Sequence, residues 1–218
     1  STERLGENRL PESKAMIDDI LAQVTQDDMV GILATGSIGC GFASSTGQKN
    51  WFTAHPFSLD WCLYHQGDKA VQSTYSGFDW EMGQLDQKMK MARQNLSILT
   101  QPTRKVTPGE YRAYLTPTAV SSLVELCAWG GFSTQATQIG MSPLLLLSSG
   151  EKSFDDRVSI SENLEAGVAE DFQENGFTRP GTFSLIADGK MAGTLCSPRT
   201  AVEYGLENNG ASGAESPC

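Results

Sequence analysis

The segment TFSLIADGKMAGTLC, residues 182–196, contains the clearest fold signal in the chain. Apolar and polar residues alternate on both sides of the pair Asp188-Gly189. An Asp-Gly pair between two alternating runs indicates a β-hairpin, because both residues tolerate the positive φ of a tight turn. The segment therefore predicts two antiparallel strands, and Ser197-Pro198 directly after them predicts the start of a helix.

Outside this hairpin, strand-like and helix-like segments follow one another. Residues 29–76 contain short runs rich in Ile, Phe, Trp, Tyr and Thr, separated by the turn-like sequences SSTGQKN and HQGDK, which predicts an antiparallel meander. Residues 11–24 and 79–96 repeat apolar side chains at helical spacing, so each predicts an amphipathic helix. The sequence GEYRAYL, residues 109–115, alternates like a further strand.

A candidate domain boundary lies between these regions. The sequence TQPTRKVTPGE, residues 100–110, has two prolines, a glycine and no periodicity. It predicts a division into residues 1–102 and residues 103–218. A chain of 218 residues is long enough for one large domain or for two smaller ones.

Composition argues against several classes of function. The formal net charge is -10, from 16 Lys and Arg against 26 Asp and Glu, and no basic cluster interrupts this balance. Because such a surface repels a phosphate backbone, nucleic acid is not an expected partner. No apolar run approaches the roughly 20 residues that cross a bilayer, and the polar start STERLGENRL is unlike a signal peptide. We therefore expect a soluble, cytoplasmic protein without a membrane partner.

The histidines and cysteines give little support for a metal or nucleophile site. The chain has two histidines, His55 and His65, and both fall in the predicted meander. A zinc site could recruit them with Cys62 or Asp60, but residues three apart on a strand face opposite sides, so Cys62 and His65 are poorly placed to share a metal or to form a nucleophilic dyad. The five cysteines form no CxxC pair, which favours reduced thiols; they are Cys40, Cys62, Cys127, Cys196 and Cys218.

Two other motifs are weaker still. Asp155-Asp156 could in principle bind a hard cation, but two neighbouring carboxylates lack the oxygen-rich loop that such a site needs. The glycine-rich SIGCGFASSTG continues into strand-like sequence rather than into a helix, so it predicts a twisted strand pair rather than a phosphate-binding loop.

A third helix is predicted after Thr116-Pro117, which supply an N-cap and a first-turn proline. Its apolar residues recur at i, i+3, i+4 and i+7 and predict one buried stripe, formed by Val120, Leu123, Val124 and Cys127. Glu125 projects roughly 150° from the middle of that stripe, which favours a solvated side chain. Because the helix carries no histidine, Glu125 has no metal-bound water to deprotonate nearby.

A family resemblance rests on segments that occur in order over more than half of the chain. They are PGEYRAYLTPTAVSSLVEL (108–126), IGMSPL (139–144), GEKSFDDRVSI (150–160), DFQENGFTRPGTFSLIADGKMAGTLCSPRTAVEYGL (171–206) and NNGASGAESP (208–217). In their order and spacing they resemble the TldD/PmbA family, whose members have been called peptide-maturation proteases and modulators of DNA gyrase. The resemblance implies an α+β fold with antiparallel, strand-rich sheets and amphipathic helices. It also implies that residues 1–102 belong to the mixed N-terminal region and residues 103–218 to the strand-rich C-terminal domain.

The resemblance also bears on Glu125. TldD-like members carry a zinc-binding HExxxH motif on this helix, whereas PmbA-like members, also called TldE, lack it. In this chain the three motif positions are Val124, Glu125 and Trp129, so only the carboxylate is present. Since both nitrogen ligands are missing, we expect no metal, no cofactor and no catalytic residue at this place.

By the same resemblance, the chain is expected to act as a catalytically silent subunit beside a TldD-like zinc peptidase, or as a dimer of itself, and to bind extended peptides by strand addition. Two alternatives remain open. One is an active peptidase that uses His55, His65 or Glu125, and the other is a stand-alone regulator of DNA gyrase. Family members extend beyond both ends of this sequence, so it resembles an internal portion, and Cys218 is not equated with the cysteine ligand of the TldD-like members.

Overall fold

The structure is a computed structural model that describes residues 1–24, 26–65 and 69–217 of the chain. Residues 66–68 of the predicted HQGDK turn, and Cys218, lie outside the described residues. The chain has the predicted α+β class, with short helices and antiparallel strand pairs. Among the described residues, no helix combines the length and the apolar composition that a membrane span requires. The elements in chain order are β1 Glu3–Leu5, α1 Ser13–Gln23, β2 Asp28–Thr35, β3 Ile38–Ala43, β4 Lys49–Ala54, β5 Phe57–His65, β6 Lys69–Gly77, α2 Met82–Leu99, α3 Pro117–Ala128, α4 Thr134–Gln138, α5 Leu145–Ser148, β7 Ile160–Asn163, β8 Thr182–Ala187, β9 Lys190–Met191 and α6 Pro198–Tyr204.

The strands form three-stranded sheets in the orders β1-β4-β3, β2-β5-β6 and β7-β8-β9. The prediction of one continuous meander was therefore wrong in its strand order. β2 is antiparallel to β5, with Asp28 opposite Tyr64 and Thr35 opposite Phe57, whereas β3 and β4 belong to the sheet of β1. Alternation with a period of two reports which residues are strand-like, but it does not select the partner strand.

Two compact units are present. Unit 1 consists of Ser1–Arg4, Cys40–Phe52 and Tyr111–Cys218, and unit 2 of Leu5–Gly39 and Thr53–Glu110. The predicted division between residues 102 and 103 stays a prediction.

Unit 2 is built on the alternating strand β5. Its odd-numbered residues from 57 to 63 are buried, namely Phe57, Leu59, Trp61 and Leu63. α2 packs on β5 and β6 and buries Leu85, Met89 and Ala92 on one face, as its helical spacing predicts. α1 buries a narrower stripe than predicted, because only Met16 and Ile20 are inside while Ile17 and Leu21 are 45% and 62% exposed.

Unit 1 has its own core around the predicted hairpin. Leu185 and Ile186 of β8 are buried with Phe132, Leu147 and Leu195. The turn between β8 and β9 is the predicted Asp188-Gly189 pair, with φ of 48° and 75°. These positive values match the two-residue turn that suits twisted antiparallel strands.

Unit 1 also includes Cys40–Phe52, which is most of the β3–β4 hairpin, although more than 100 residues separate this segment from its contact at Gly176. The Asn50 side chain is 2% exposed and donates a hydrogen bond to the Gly176 carbonyl at 3.1 Å. Gly176 has φ of 83°, and a Cβ at this position would lie 2.2 Å from the Phe42 ring. A residue with a side chain would therefore not fit between this turn and Phe42.

Two predictions near α3 were wrong. Residues 111–116 form no strand, and Tyr111 and Tyr114 are 62% and 88% exposed, because alternation without a partner strand does not give a ladder. The predicted buried stripe of α3 is also absent, since Val120 and Leu123 are exposed and Val124 is only half-buried. The helix packs on the unit 1 core through Cys127 and Ala128, at its C-terminal end.

Candidate functional site

The candidate site is a groove beside α3. The helix starts as predicted, with Pro117 in its first turn and the Thr116 hydroxyl accepting a hydrogen bond from the Ala119 N–H at 3.3 Å. The groove has a volume of about 730 Å³ and lies entirely within unit 1. We call it the α3 groove; its apolar wall is formed by Tyr114, Leu115, Pro117, Val120, Val124, Ala128 and Pro217, and its polar side by Ser121 and Glu125.

The three motif positions fall in different surroundings. Val124 is half-buried and Glu125 is exposed, and both line the α3 groove. The Ser121 hydroxyl donates a weak hydrogen bond to Glu125 at 3.5 Å. Trp129 is the C-cap residue, is 85% exposed and is not part of the groove lining. The wall next to the single carboxylate is thus aliphatic where an imidazole would be needed to hold zinc.

No group of three or more His, Cys, Asp or Glu side chains is arranged to hold a metal ion in residues 1–24, 26–65 and 69–217. His55 lies just before β5 and shares a hydrogen bond of 2.9 Å with the Ser37 hydroxyl, while His65 is the last residue of β5. Ten residues of extended chain span roughly 30 Å, so the two imidazoles do not share a site. Cys62 and His65, three apart on this strand, face opposite sides of the sheet.

The remaining acidic candidates are held by protein groups. Asp155 forms a salt bridge with Arg157 at 2.7 Å, and hydrogen bonds from the Arg157 side chain and backbone lower the pKa of Asp155 to about 2. Asp60 accepts a hydrogen bond from the Thr74 hydroxyl at 2.8 Å on the exposed face of its sheet. Cys40, Cys62, Cys127 and Cys196 are free thiols.

Glu215 is a buried carboxylate that the sequence pattern did not reveal. It is 1% exposed, and it accepts hydrogen bonds from the Ser133 hydroxyl at 2.7 Å and from the Gln135 and Ser197 backbone N–H groups, both at 2.8 Å. These donors lie at the first turns of α4 and α6, so the carboxylate ties both helix starts to the segment 208–217. Pro217, two residues later, is part of the α3 groove.

The ionised form of Glu215 is favoured in the folded protein. Burial raises the pKa of Glu215, but hydrogen bonds from Gln135, Thr200, Ser197 and Ser133 outweigh it and leave the pKa below its ordinary value. Because its pKa is lowered on folding, ionised Glu215 stabilises the folded protein at pH values above the ordinary glutamate pKa. This stabilisation is lost as the pH falls through the pKa that Glu215 has in the folded protein.

We therefore expect Glu215→Gln to lower the free energy of unfolding at pH 7 by about 1–3 kcal/mol, because the amide nitrogen cannot accept the bonds that a carboxylate oxygen accepts. The difference between the two proteins should shrink as the pH falls below 4.5, since protonated Glu215 loses the same acceptor. Urea unfolding at several pH values measures both effects. Glu203→Gln, on exposed α6 surface, is the matched control, and a difference that grows on acidification would contradict the assignment.

One family profile matches the chain. The profile of the PmbA/TldA metallopeptidase C-terminal domain matches residues 108–217, about half of the chain. A comparison with curated protein sequences finds no significant match.

Three solved structures share the fold. One is from Thermotoga maritima MSB8 and is named as a candidate modulator of a DNA gyrase. It has a TM-score of 0.75 and 16% sequence identity to this chain, and the match covers 97% of this chain and 53% of the Thermotoga chain. A second candidate modulator of DNA gyrase, from Bacteroides thetaiotaomicron VPI-5482, has a TM-score of 0.71 and 15% identity, with coverage of 93% and 49%. TldE from Thermococcus kodakarensis has a TM-score of 0.59 and 13% identity, with coverage of 90% and 46%. The present chain spans about half the length of these proteins.

Proposed function

Because the chain belongs to the TldD/PmbA family, we propose that it is a PmbA-like, catalytically silent subunit of a TldD-type zinc peptidase system that processes peptides. Its role in this proposal is to assemble with a TldD-like subunit and to bind extended peptide, while the zinc subunit cleaves. Residues 103–218 would act as part of the strand-rich C-terminal domain, and residues 1–102 as part of the region that precedes it.

The observation that carries the proposal is the chemistry of α3. By the family resemblance, Val124 and Trp129 correspond to the positions where zinc-binding members have histidines, and neither an isopropyl group nor an indole ring binds a divalent cation. Glu125 alone lacks the metal-bound water on which a general base of this class acts.

Exposed apolar surface supports the assembly role. On α3 and its C-cap, Leu123, Leu126 and Trp129 are 50%, 67% and 85% exposed. Exposed apolar residues that follow one another along a helix supply the kind of surface that a partner can cover. Tryptophan is a common anchor of protein interfaces, so Trp129 in particular supports the assembly role.

Exposed strand edges support the peptide-binding role. β2 is an eight-residue strand at the edge of its sheet, paired only with β5 among the described residues. Its Val30 and Ile32 side chains are 63% and 73% exposed. An unpaired edge offers N–H and C=O groups that an extended peptide can bind as an added strand.

The test combines metal analysis with a casein digestion assay. We expect the purified chain to contain no stoichiometric zinc and to cleave no casein alone, and we expect it to change the rate or products of cleavage when mixed with a TldD-like subunit. Bound zinc together with chelator-sensitive cleavage by the chain alone would contradict the proposal and favour the active-peptidase alternative.

A second candidate function is regulation of DNA gyrase, since two proteins of the same fold are named as candidate modulators of that enzyme. Identification of the proteins that co-purify with the chain distinguishes the two functions. Co-purification of gyrase without any TldD-like protein would favour the regulator, whereas co-purification of a TldD-like protein favours the peptidase subunit.

A further inference from the structure

The α3 groove joins an apolar wall to a single charge. Glu125 is the one charged residue in the groove lining, which is otherwise made of apolar residues and Ser121. Among the salt bridges of the described residues, none involves Glu125, and the hydrogen bond of its carboxylate is the weak bond from the Ser121 hydroxyl at 3.5 Å.

The size and shape of the groove suit a peptide segment. Its volume of about 730 Å³ falls in the range of ligand sites, roughly 300–1,000 Å³. Leu115 and Val120 are half-exposed on its wall and would be covered by apolar side chains of an occupant. The walls are held in place from two sides, since α3 packs on the unit 1 core and Pro217 follows the buried Glu215.

Charge selects among occupants. The chain has a formal net charge of -10, so its overall field attracts cations and repels anionic segments. A lysine or arginine side chain can lay its aliphatic stem along apolar surface while its charged end reaches a carboxylate. Once a peptide covers the groove and removes water, the attraction between that end and Glu125 becomes stronger.

We propose that the α3 groove binds an extended peptide segment in which a lysine or arginine lies between apolar residues, with the cationic group on Glu125. This inference rests on the proposed peptide-binding function and adds a substrate class to it. Glu125 thereby becomes a residue that selects peptides in place of the general base of a zinc peptidase.

Binding of short fluorescent peptides to the 218-residue chain, followed by anisotropy, tests the proposal. Three peptides share the frame Ala-Leu-X-Leu-Ala with capped ends, and X is lysine, norleucine or glutamate. We expect the lysine peptide to bind about fivefold more tightly than the norleucine peptide, the range of an ion pair at a protein surface, and the glutamate peptide to bind most weakly. The lysine preference should decline between 0.05 M and 0.5 M salt, because salt screens the pair.

Variants of Glu125 test whether the α3 groove is the site at which the peptides bind. Glu125→Gln should abolish the lysine preference without altering the circular dichroism spectrum, and Glu125→Lys should shift the preference to the glutamate peptide. Glu203→Gln removes an exposed carboxylate on α6, outside the groove, and should leave the preference unchanged.

The possible failures have separate meanings. Equal binding of the three peptides would overturn this inference but leave the proposed peptide-binding function standing. Absence of binding by all three would count against both. Equal effects of Glu203→Gln and Glu125→Gln would assign the preference to overall charge and overturn the site. Self-association that buries the groove, seen by sedimentation together with loss of peptide binding, would make a second copy of the chain the occupant.

Discussion

Replacement of Glu162 by alanine should lower the free energy of unfolding by about 3–5 kcal/mol. Glu162 on β7 forms a salt bridge of 2.8 Å with Arg179, and the two side chains are only 3% and 5% exposed. The alanine variant removes the Glu162 carboxylate from a buried guanidinium, which costs more than the loss of an exposed pair. The effect should be largest in unit 1, where both residues lie.

Urea unfolding at pH 7 measures this loss, and a double variant provides the control. Glu162→Met with Arg179→Met removes both charges while keeping apolar volume, so we expect it to be more stable than Glu162→Ala. Similar losses for the single and the double variant would show that packing, rather than the loss of the ion pair, sets the cost.

Glu162→Ala should also weaken peptide binding at the α3 groove. The Arg179 N–H donates to the Asp171 carbonyl at 2.8 Å, and the Gly213 N–H donates to Glu174 at 3.2 Å. The loop that contains Asp171 and Glu174 thus supports the segment leading to Glu215. We expect Glu162→Ala to weaken binding of the lysine peptide even under conditions in which the chain remains folded.

The second large effect concerns unit 2. Trp61→Ala should cost about 3–5 kcal/mol, because it deletes the largest side chain of this core and leaves a cavity. Trp61 is 1% exposed and is central on β5, opposite Gly31 of β2 and Ser73 of β6. Neither neighbour has a side chain that could fill the space.

Thermal unfolding followed by circular dichroism measures the loss, and Trp61→Phe is the matched control. The indole N–H of Trp61 has no hydrogen-bond acceptor among the described residues, so phenylalanine removes a buried polar atom along with part of the ring. We expect its cost to be less than half that of alanine. Hydrogen exchange should show the loss of protection within residues 53–110; an equal loss confined to residues 111–217 would contradict the assignment of Trp61 to the unit 2 core.

Local sequence patterns predicted the elements whose causes are local. The Asp188-Gly189 turn, the apolar face of α2 and the start of α6 at Ser197 each depend on residues within a few positions of one another. Ser197 caps α6 by accepting from the Thr200 N–H at 3.2 Å. Conformational preference and side-chain periodicity are sufficient at these places.

Other features depend on groups that are distant in sequence, and local patterns cannot identify them. The pairing of β2 with β5, rather than with β3, is decided by which strands share a core. Ser133 and Glu215 are 82 residues apart, so nothing near Glu215 marks it as buried. On α3, periodicity identified an apolar helix but not how little of it would be covered, because that depends on what packs against it.

The position of Gly176 has a consequence for synthesis on the ribosome. Asn50 and its partner Gly176 are 126 residues apart, so translation at about 5–20 residues per second separates them by roughly 6–25 s. During that interval the β3–β4 hairpin has left the exit tunnel without the turn that later covers Phe42. The nascent chain therefore lacks this contact on the Phe42 ring until residue 176 has been made.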